Sequence, residues 1–412
     1  MHQSPPLTPE ELNDLFQQAC KDHQQGHLAE AKSGYMTLLE YVDAPLLHYN
    51  MGLVHFELHD FQDALSSFAK AHAGNPFDSD TLFNLALCQR ECGLFDDACT
   101  SYHKLIDIEP DHVDAIYNLA SCYRATRQDE MAINQYRQLL QQQPEHQSAL
   151  SNLAYMYQLT GDTENAIRYY RRLLELDPER ESARHMLAAL LGDTFDAPSE
   201  SYVRDLFDSY SDHYEQSLVV NLEYHVPLSL REVLVNLPDC PQHFNEGIDL
   251  GCGTGLSGES FRDIVEHLDG VDLSAKMIAI AEKKNIYRDL YVDNIATALT
   301  RIDRQYDFVL AADVFGYLGD LAPIIMEVSG KTEPDTIFCG SIEAGDIAPF
   351  NLQPSGRIAH SPEYFLELVK KHGWSVLQFS PTQLRRERDG WIKGFIWILQ
   401  KQKEGNAISV KN

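Results

Sequence analysis

Four prolines, Pro76, Pro110, Pro144 and Pro178, stand 34 residues apart, an interval this strict marking a chain built from repeated units rather than one continuous core. Three further columns keep the register: Ala64, Ala98, Ala132 and Ala166; Phe68, Tyr102, Tyr136 and Tyr170; and the small residues Gly52, Ala86, Ala120 and Ala154. Each column has a physical reason. Two helices of one unit approach closely only where small side chains face each other, and an aromatic fills the wedge toward the next unit. Proline ends the second helix because it lacks the N–H that the next turn needs. Gly93 and Gly161 suit the tight turn between helices, whereas His59 and Arg127 occupy that position in two units and fit it less well.

This pattern resembles the tetratricopeptide repeat from about Leu12 to Gly192. The first unit, with Gly26, Ala31 and Tyr35, is slightly out of phase and lacks the terminal proline; the tryptophan frequent in the family's first helix is replaced by His48, Leu82, Ile116 and Leu150. The segment from Glu181 to Leu191 reads as half a further unit, a capping helix closing the stack. The resemblance implies a concave groove lined by Asn50, Asn84, Asn118 and Asn152 beside Tyr49, Phe83 and Tyr117. Of these, Asn84, Asn118, Tyr49, Phe83 and Tyr117 are the expected contacts to a peptide or protein partner.

After a polar joint, Gly192 to Glu200, short β-branched runs alternate with helical stretches, which predicts an α/β domain. Strands are expected near Glu246 to Leu250, His267 to Val271, Leu290 to Val292, Tyr306 to Ala311, Thr336 to Ile342, Ser375 to Phe379 and Lys393 to Leu399. The first ends in Gly-Ile-Asp-Leu-Gly-Cys-Gly-Thr-Gly-Leu-Ser, from Gly247 to Ser257. Gly251, Gly253 and Gly255 allow a tight turn and close approach of backbone to a ligand. A dinucleotide turn favours a different glycine spacing, and Asp249 at the strand end suits a cationic amine and repels a diphosphate. The second strand ends in Asp272-Leu273, where a carboxylate accepts from ribose hydroxyls; the third ends in Asp293-Asn294, where an acid accepts from an adenine amino group.

With the fourth strand, Tyr306 to Asp313, these segments resemble class I S-adenosylmethionine-dependent methyltransferases from about Tyr202 to Lys401. The whole layout is similar to bacterial predicted methyltransferases that carry such repeats, relatives of small-molecule methyltransferases of quinone and biotin synthesis. The resemblance implies a Rossmann-like seven-stranded sheet, mostly parallel, with its last strand antiparallel. It further implies that Asp249, Gly251, Gly253 and Gly255 surround the methionine part of the cofactor, S-adenosyl-L-methionine. Asp272 and Leu273 would hold the ribose, Asp293 and Asn294 the adenine, and Ala311 would make a backbone contact. Related enzymes begin with an aromatic-rich helix over the cofactor, which makes Tyr210, His213 and Tyr214 lid candidates.

The expected organisation is therefore a tetratricopeptide-repeat solenoid over residues 1–192 and a methyltransferase domain over 193–412. The sulfonium already activates the methyl, so alignment and exclusion of water matter more than side-chain chemistry. A protonated acceptor still needs a base, for which His360 and Glu343 are the first candidates, with Asp313 and Tyr317 behind them; Arg357 is placed to hold an anionic substrate. The acceptor is an oxygen or nitrogen of a small molecule, or of a protein recruited by the repeats. The alternative is an interaction scaffold whose cofactor domain binds without transferring.

Net charge and cysteine usage narrow the partners. A formal charge of −29, spread over both halves, disfavours nucleic acid and anionic lipid surfaces. Eight cysteines without a Cys-x-x-Cys pair, and no histidine cluster at ligand spacing, predict reduced thiols, no metal and a cytoplasmic location. No window approaches the roughly 18 apolar residues of a membrane span.

Overall fold

The computed structural model describes residues 7–193, 197–210, 215, 218–219, 222–238, 240–347, 349–387 and 390–403. It divides into two compact units, 1–178 and 179–412.

The first unit is all helical. Its ten helices form five successive pairs: α1 (Pro9–Gln24) with α2 (Leu28–Leu39), α3 (Pro45–Glu57) with α4 (Phe61–Gly74), α5 (Ser79–Glu91) with α6 (Phe95–Ile108), α7 (Val113–Ala125) with α8 (Asp129–Gln142), and α9 (Gln147–Leu159) with α10 (Thr163–Leu176). The periodic columns are its core: Ala64, Ala98, Ala132, Ala166, Phe68, Tyr102 and Tyr136 are fully buried and Tyr170 nearly so. Gly52 shows why its column is small, since a Cβ there would lie 2.7 Å from the Phe68 ring. The turn between paired helices takes a left-handed residue in every unit: Gly26, His59, Gly93, Arg127 and Gly161, with φ between 58° and 81°. His59 and Arg127 hold that conformation at a steric cost of about 1–2 kcal/mol each.

The expected boundary at 192/193 is not where the contacts divide. Helix α11 (Glu181–Leu191), read from sequence as the solenoid's cap, is part of the second unit. Its Ala188 and Ala189 pack on Phe350, Leu352 and Ile358, and its buried His185 donates from Nε2 to the Gly356 carbonyl at 2.7 Å.

The second unit is built on a seven-stranded sheet. Its strands are β1 (Phe244–Leu250), β2 (Val265–Asp272), β3 (Leu290–Val292), β4 (Tyr306–Ala311), β5 (Thr332–Glu343), β8 (Trp374–Glu387) and β9 (Gly390–Lys401), in the order β3-β2-β1-β4-β5-β9-β8. Strands β1 to β5 pair in parallel, and β9 runs antiparallel to both β5 and β8. The strands β6 (Phe350–Leu352) and β7 (Ile358–His360), which are not among the strands expected from sequence, form a separate hairpin.

Alternation along the strands feeds two cores. Val309 and Ala311 of β4 face one, with Phe338, Trp374 and Trp397; Phe308 and Leu310 face the other, with Phe261, Leu384 and Ile396. Gly340 of β5 is squeezed between them in register with Trp397, and a Cβ there would lie 2.4 Å from the Ala311 carbonyl oxygen. Gly340→Ala is expected to lower stability by about 1–3 kcal/mol, read as a shifted urea midpoint with an unchanged slope.

The strand order reverses between β1 and β4. In open parallel sheets the crevice beyond the carboxyl ends at such a point is the natural ligand site.

Candidate functional site

A cavity of about 290 Å³ opens at this switch point. Its floor is the turn after β1, where Gly251, Gly253 and Gly255 all have positive φ (71°, 53° and 91°), a conformation that only glycine adopts freely three times in five residues. At Gly251 the approach is tight as well, since a Cβ would lie 2.4 Å from a Val314 methyl. Gly255 caps helix α14 (Leu256–Phe261).

Of the residues singled out from sequence, Gly251, Gly253, Asp272, Leu273, Asp293 and Asn294 line the cavity. Asp249, Gly255 and Ala311 stand behind that surface, and Ala312 rather than Ala311 lines it. Asp249 is fully buried beneath the turn. One of its oxygens accepts from the Tyr287 hydroxyl at 2.8 Å, and the other, Oδ1, is buried with no hydrogen bond among the described residues. Burial pushes its carboxyl up to about 7, the Tyr287 bond pulling back and the Asp272 charge adding to the rise.

Asp272 is fixed by two backbone donors, Gly253 N–H at 2.9 Å and Ser274 N–H at 2.8 Å; burial raises its pKa against these bonds. Each carboxylate oxygen retains a lone pair for a ligand hydroxyl. Asp293 accepts from Asn294 N–H at 2.9 Å and from Arg301 at 2.7 Å. The Asn294 side chain caps helix α16 (Ile295–Arg301).

Tyr287 was not foreseen. Its ring is wedged under the glycine turn, against the places where Cβ atoms would sit at Gly255, Gly258 and Gly270. Those glycines are the only sequence trace of it.

Helix α12 (Glu200–Tyr210) lies over the cavity and contributes Glu200, Val203 and Phe207 to its wall. It is pinned by Asn294 Nδ2 donating to Glu200 at 2.9 Å, by the Ser274 hydroxyl donating to Asp208 at 2.5 Å, and by Phe207 edge-on to Tyr317 at 5.0 Å. An N-terminal helix over the site was expected. Of the lid candidates, His213, Tyr214 and the side chain of Tyr210 lie outside the described residues.

The two first-choice bases are elsewhere. His360 is fully buried on β7, its Nε2 donating to the Gly319 carbonyl at 2.9 Å, and burial lowers its pKa. Glu343, at the end of β5, accepts from Arg357 and Arg385. Burial alone would raise its carboxyl, but the two guanidiniums hold it below the usual range. Neither residue lines the cavity. Arg357, expected to hold an anionic substrate, is itself buried: it pairs with Glu343 and Asp313 and lies 4.3 Å from the centre of the Tyr317 ring. Arg385 closes the group by donating to Asp313 at 3.1 Å and Glu343 at 2.8 Å. Two carboxylates and two guanidiniums thus neutralise one another behind the cavity, with only Asp313 and Tyr317 reaching its wall.

In the first unit, the expected groove residues link successive repeats. Asn84 donates to the Asp80 carbonyl at 2.8 Å and to the Tyr49 hydroxyl at 3.3 Å; Asn118 accepts from Arg90 at 2.5 Å; and the Tyr117 hydroxyl accepts from Asn152 at 2.9 Å. Phe83 and Tyr117 stack on His112 and His146 of the following repeats at 5.2 and 5.5 Å. These polar ends are engaged within the solenoid.

Residues 49–111, 114–146 and 149–184 match tetratricopeptide-repeat family models, and residues 248–339 match the model of a methyltransferase domain. A ubiquinone biosynthesis O-methyltransferase of Nitrobacter winogradskyi is 28 % identical over 149 residues, 35 % of this chain and 55 % of that protein. One from Rhodopseudomonas palustris is 33 % identical over 89 residues, 21 % of this chain and 35 % of that protein. The chain thus spans about a third to a half of the length of these curated relatives. A solved magnesium protoporphyrin IX methyltransferase from Synechocystis with bound S-adenosylmethionine aligns with 51 % of this chain and 100 % of its own at 18 % identity, TM-score 0.39. Among the described residues no helix is long and apolar enough to cross a membrane.

Proposed function

We propose that this chain, tetratricopeptide repeats joined to a methyltransferase domain, transfers the methyl of S-adenosylmethionine to an oxygen or nitrogen of a small molecule or of a protein recruited by the repeats. The observation that carries the reading is the charge of the switch-point cavity. Glu200, Asp272, Asp293 and Asp313 line it, no lysine, arginine or histidine does among the described residues, and the open oxygen of Asp249 lies beneath its floor. A dinucleotide's diphosphate would meet carboxylates and no cationic side chain among the described residues, whereas a ligand with an ammonium and a sulfonium is attracted.

The residues fit that ligand. Asp249 would face the amino group, with Gly251, Gly253 and Gly255 giving the methionine part room. Asp272 and Leu273 would hold the ribose, Asp293 and Asn294 the adenine, and the backbone near Ala311 and Ala312 the amino-acid end. When bound, the cofactor supplies a methyl on a good leaving group; the protein's part is to orient the acceptor and exclude water, which α12 serves by lying over the cavity. For the repeat unit, the half-buried rings of Tyr49, Phe83 and Tyr117 are the proposed contact with a peptide or protein.

Calorimetry on the full chain tests the first step. S-adenosylmethionine is expected to bind and NAD not to. Asp272→Ala is expected to weaken binding at least about tenfold, the loss of hydrogen bonds to a charged acceptor. Equal affinity in that variant would refute the ribose contact. Binding without transfer of labelled methyl to any lysate component would favour an inactive scaffold.

A further inference from the structure

The cavity is wider than the cofactor contacts just assigned. Beyond β4 its wall is formed by Ala312, Asp313, Val314 and Tyr317, together with Val203 and Phe207 of α12. Resting on the methyl-transfer reading above, we propose that this part of the cavity is the acceptor subsite, that it takes an uncharged hydroxyl on an apolar body, and that Asp313 receives the hydroxyl hydrogen.

Asp313 is held unusually firmly for a residue at the end of a strand. Its backbone is in the left-handed region, φ 58°, which is uncommon outside glycine and concentrates where function over-determines the conformation. Its N–H donates to the Ser341 hydroxyl at 2.9 Å, and a single side-chain oxygen, Oδ1, accepts from both Arg357 at 2.6 Å and Arg385 at 3.1 Å. The carboxylate is thus braced from behind while it lines the cavity in front. Gly316 makes the brace possible, since a Cβ there would fall 2.4 Å from an Arg357 nitrogen.

The same bracing excludes other acceptors. Both guanidiniums are buried and shared between Asp313 and Glu343, so neither is left to receive a carboxylate substrate. With four carboxylates and, among the described residues, no cationic side chain on the wall, an anionic acceptor is repelled. An amine is drawn in, but the same field keeps it protonated and so without the lone pair that attacks a methyl. A neutral hydroxyl has lone pairs in its resting form and a hydrogen to donate. In the transfer its oxygen forms the new C–O bond as the C–S bond breaks, sulfur keeps that electron pair, and the hydroxyl proton passes to the Asp313 carboxylate and then to water. Val203, Phe207 and Ile324 provide the apolar surface for the rest of the acceptor.

The test is calorimetric, on the full chain saturated with S-adenosylhomocysteine, with 4-propylphenol, 4-propylbenzoate and 4-propylbenzylamine as probes. The phenol is expected to bind at least about tenfold more tightly than the benzoate, and labelled methyl from S-adenosylmethionine to enter the phenol and not the benzylamine. In Asp313→Asn the ratio of phenol to benzoate affinity is expected to fall below about threefold, because charge is lost and shape kept. Benzoate binding as tightly as phenol, methylation of the benzylamine alone, or no binding of any probe at millimolar concentration overturns the acceptor assignment. Failure of S-adenosylhomocysteine itself to bind instead overturns the methyl-transfer reading beneath it. The wild-type comparison stands even if the variant does not fold.

Discussion

Between pH 5.5 and 7 the affinity of the full chain for S-adenosylhomocysteine is expected to rise by about tenfold per pH unit and then level off. The cause is Asp249, whose carboxyl burial has pushed up to about 7. Below that value it is largely protonated, and a ligand ammonium reaching its open oxygen must displace the proton; above it the carboxylate is ready. Binding therefore releases a proton in the acidic range, seen as a buffer-dependent heat.

The stability consequence has the same origin. Because the folded carboxyl holds its proton to a higher pH than an aspartate in the unfolded chain, the ligand-free fold loses stability as pH rises from about 4 to about 7, and the ligand restores it. The thermal shift on binding should thus grow across this window. Asp249→Asn removes both effects: affinity at pH 8 is expected to fall roughly 10- to 100-fold and to become flat with pH. Tyr287→Phe separates the parts, since it leaves the carboxyl but deletes its donor. The bend in the affinity profile should then move to higher pH. An unmoved bend would mean that another group titrates.

The site's floor was legible because its logic is local. Three glycines in five residues with an acid two places ahead can be read without knowing the fold, and Asp272 and Asp293 recur at the ends of the next two strands. What closes the site is not local. Tyr287 reaches Asp249 across 38 residues and Arg385 reaches Asp313 across 72, and neither residue lies at a spacing that marks a partner. His360 and Glu343 follow the later strands in sequence, where a base for the acceptor is expected. The structure buries both, since a backbone carbonyl satisfies one and two remote guanidiniums neutralise the other. Helix α11 carries a similar lesson: its apolar stripe was read correctly as buried, but periodicity reports that a face is covered and not by what. The seven strands of the main sheet were all found, whereas β6 and β7, three residues each, are too short to show an alternation.

The group of Asp313, Glu343, Arg357 and Arg385 is where a single substitution should do the most damage to the fold. Glu343 is 5 % exposed in side chain and Arg385 7 %, so removing one partner leaves an uncompensated charge in the interior. Glu343→Leu is expected to destabilise the second unit by about 3–5 kcal/mol, and Arg385→Met by a similar amount. Replacing both at once by apolar residues of similar volume, Glu343→Leu with Arg385→Met, leaves Asp313 paired with Arg357 and is expected to cost clearly less than the sum of the single changes. Urea denaturation of the four proteins measures this coupling, and additive losses would show that the charges act independently. The pH dependence has a fixed sign. Since the guanidiniums hold the folded Glu343 carboxyl below the ordinary glutamate range, its contribution is complete above that range and disappears as pH falls through the lower folded pKa. Acid unfolding of the wild type should therefore carry a component that Glu343→Gln lacks, even though that variant is the less stable at pH 7. The variant also bears on the acceptor subsite: with Glu343 uncharged, Arg357 and Arg385 share a single carboxylate, so the wall behind Asp313 carries net positive charge. Whatever excludes 4-propylbenzoate from the wild type should then weaken, and its affinity relative to 4-propylphenol should rise in Glu343→Gln, in parallel with the lost stability.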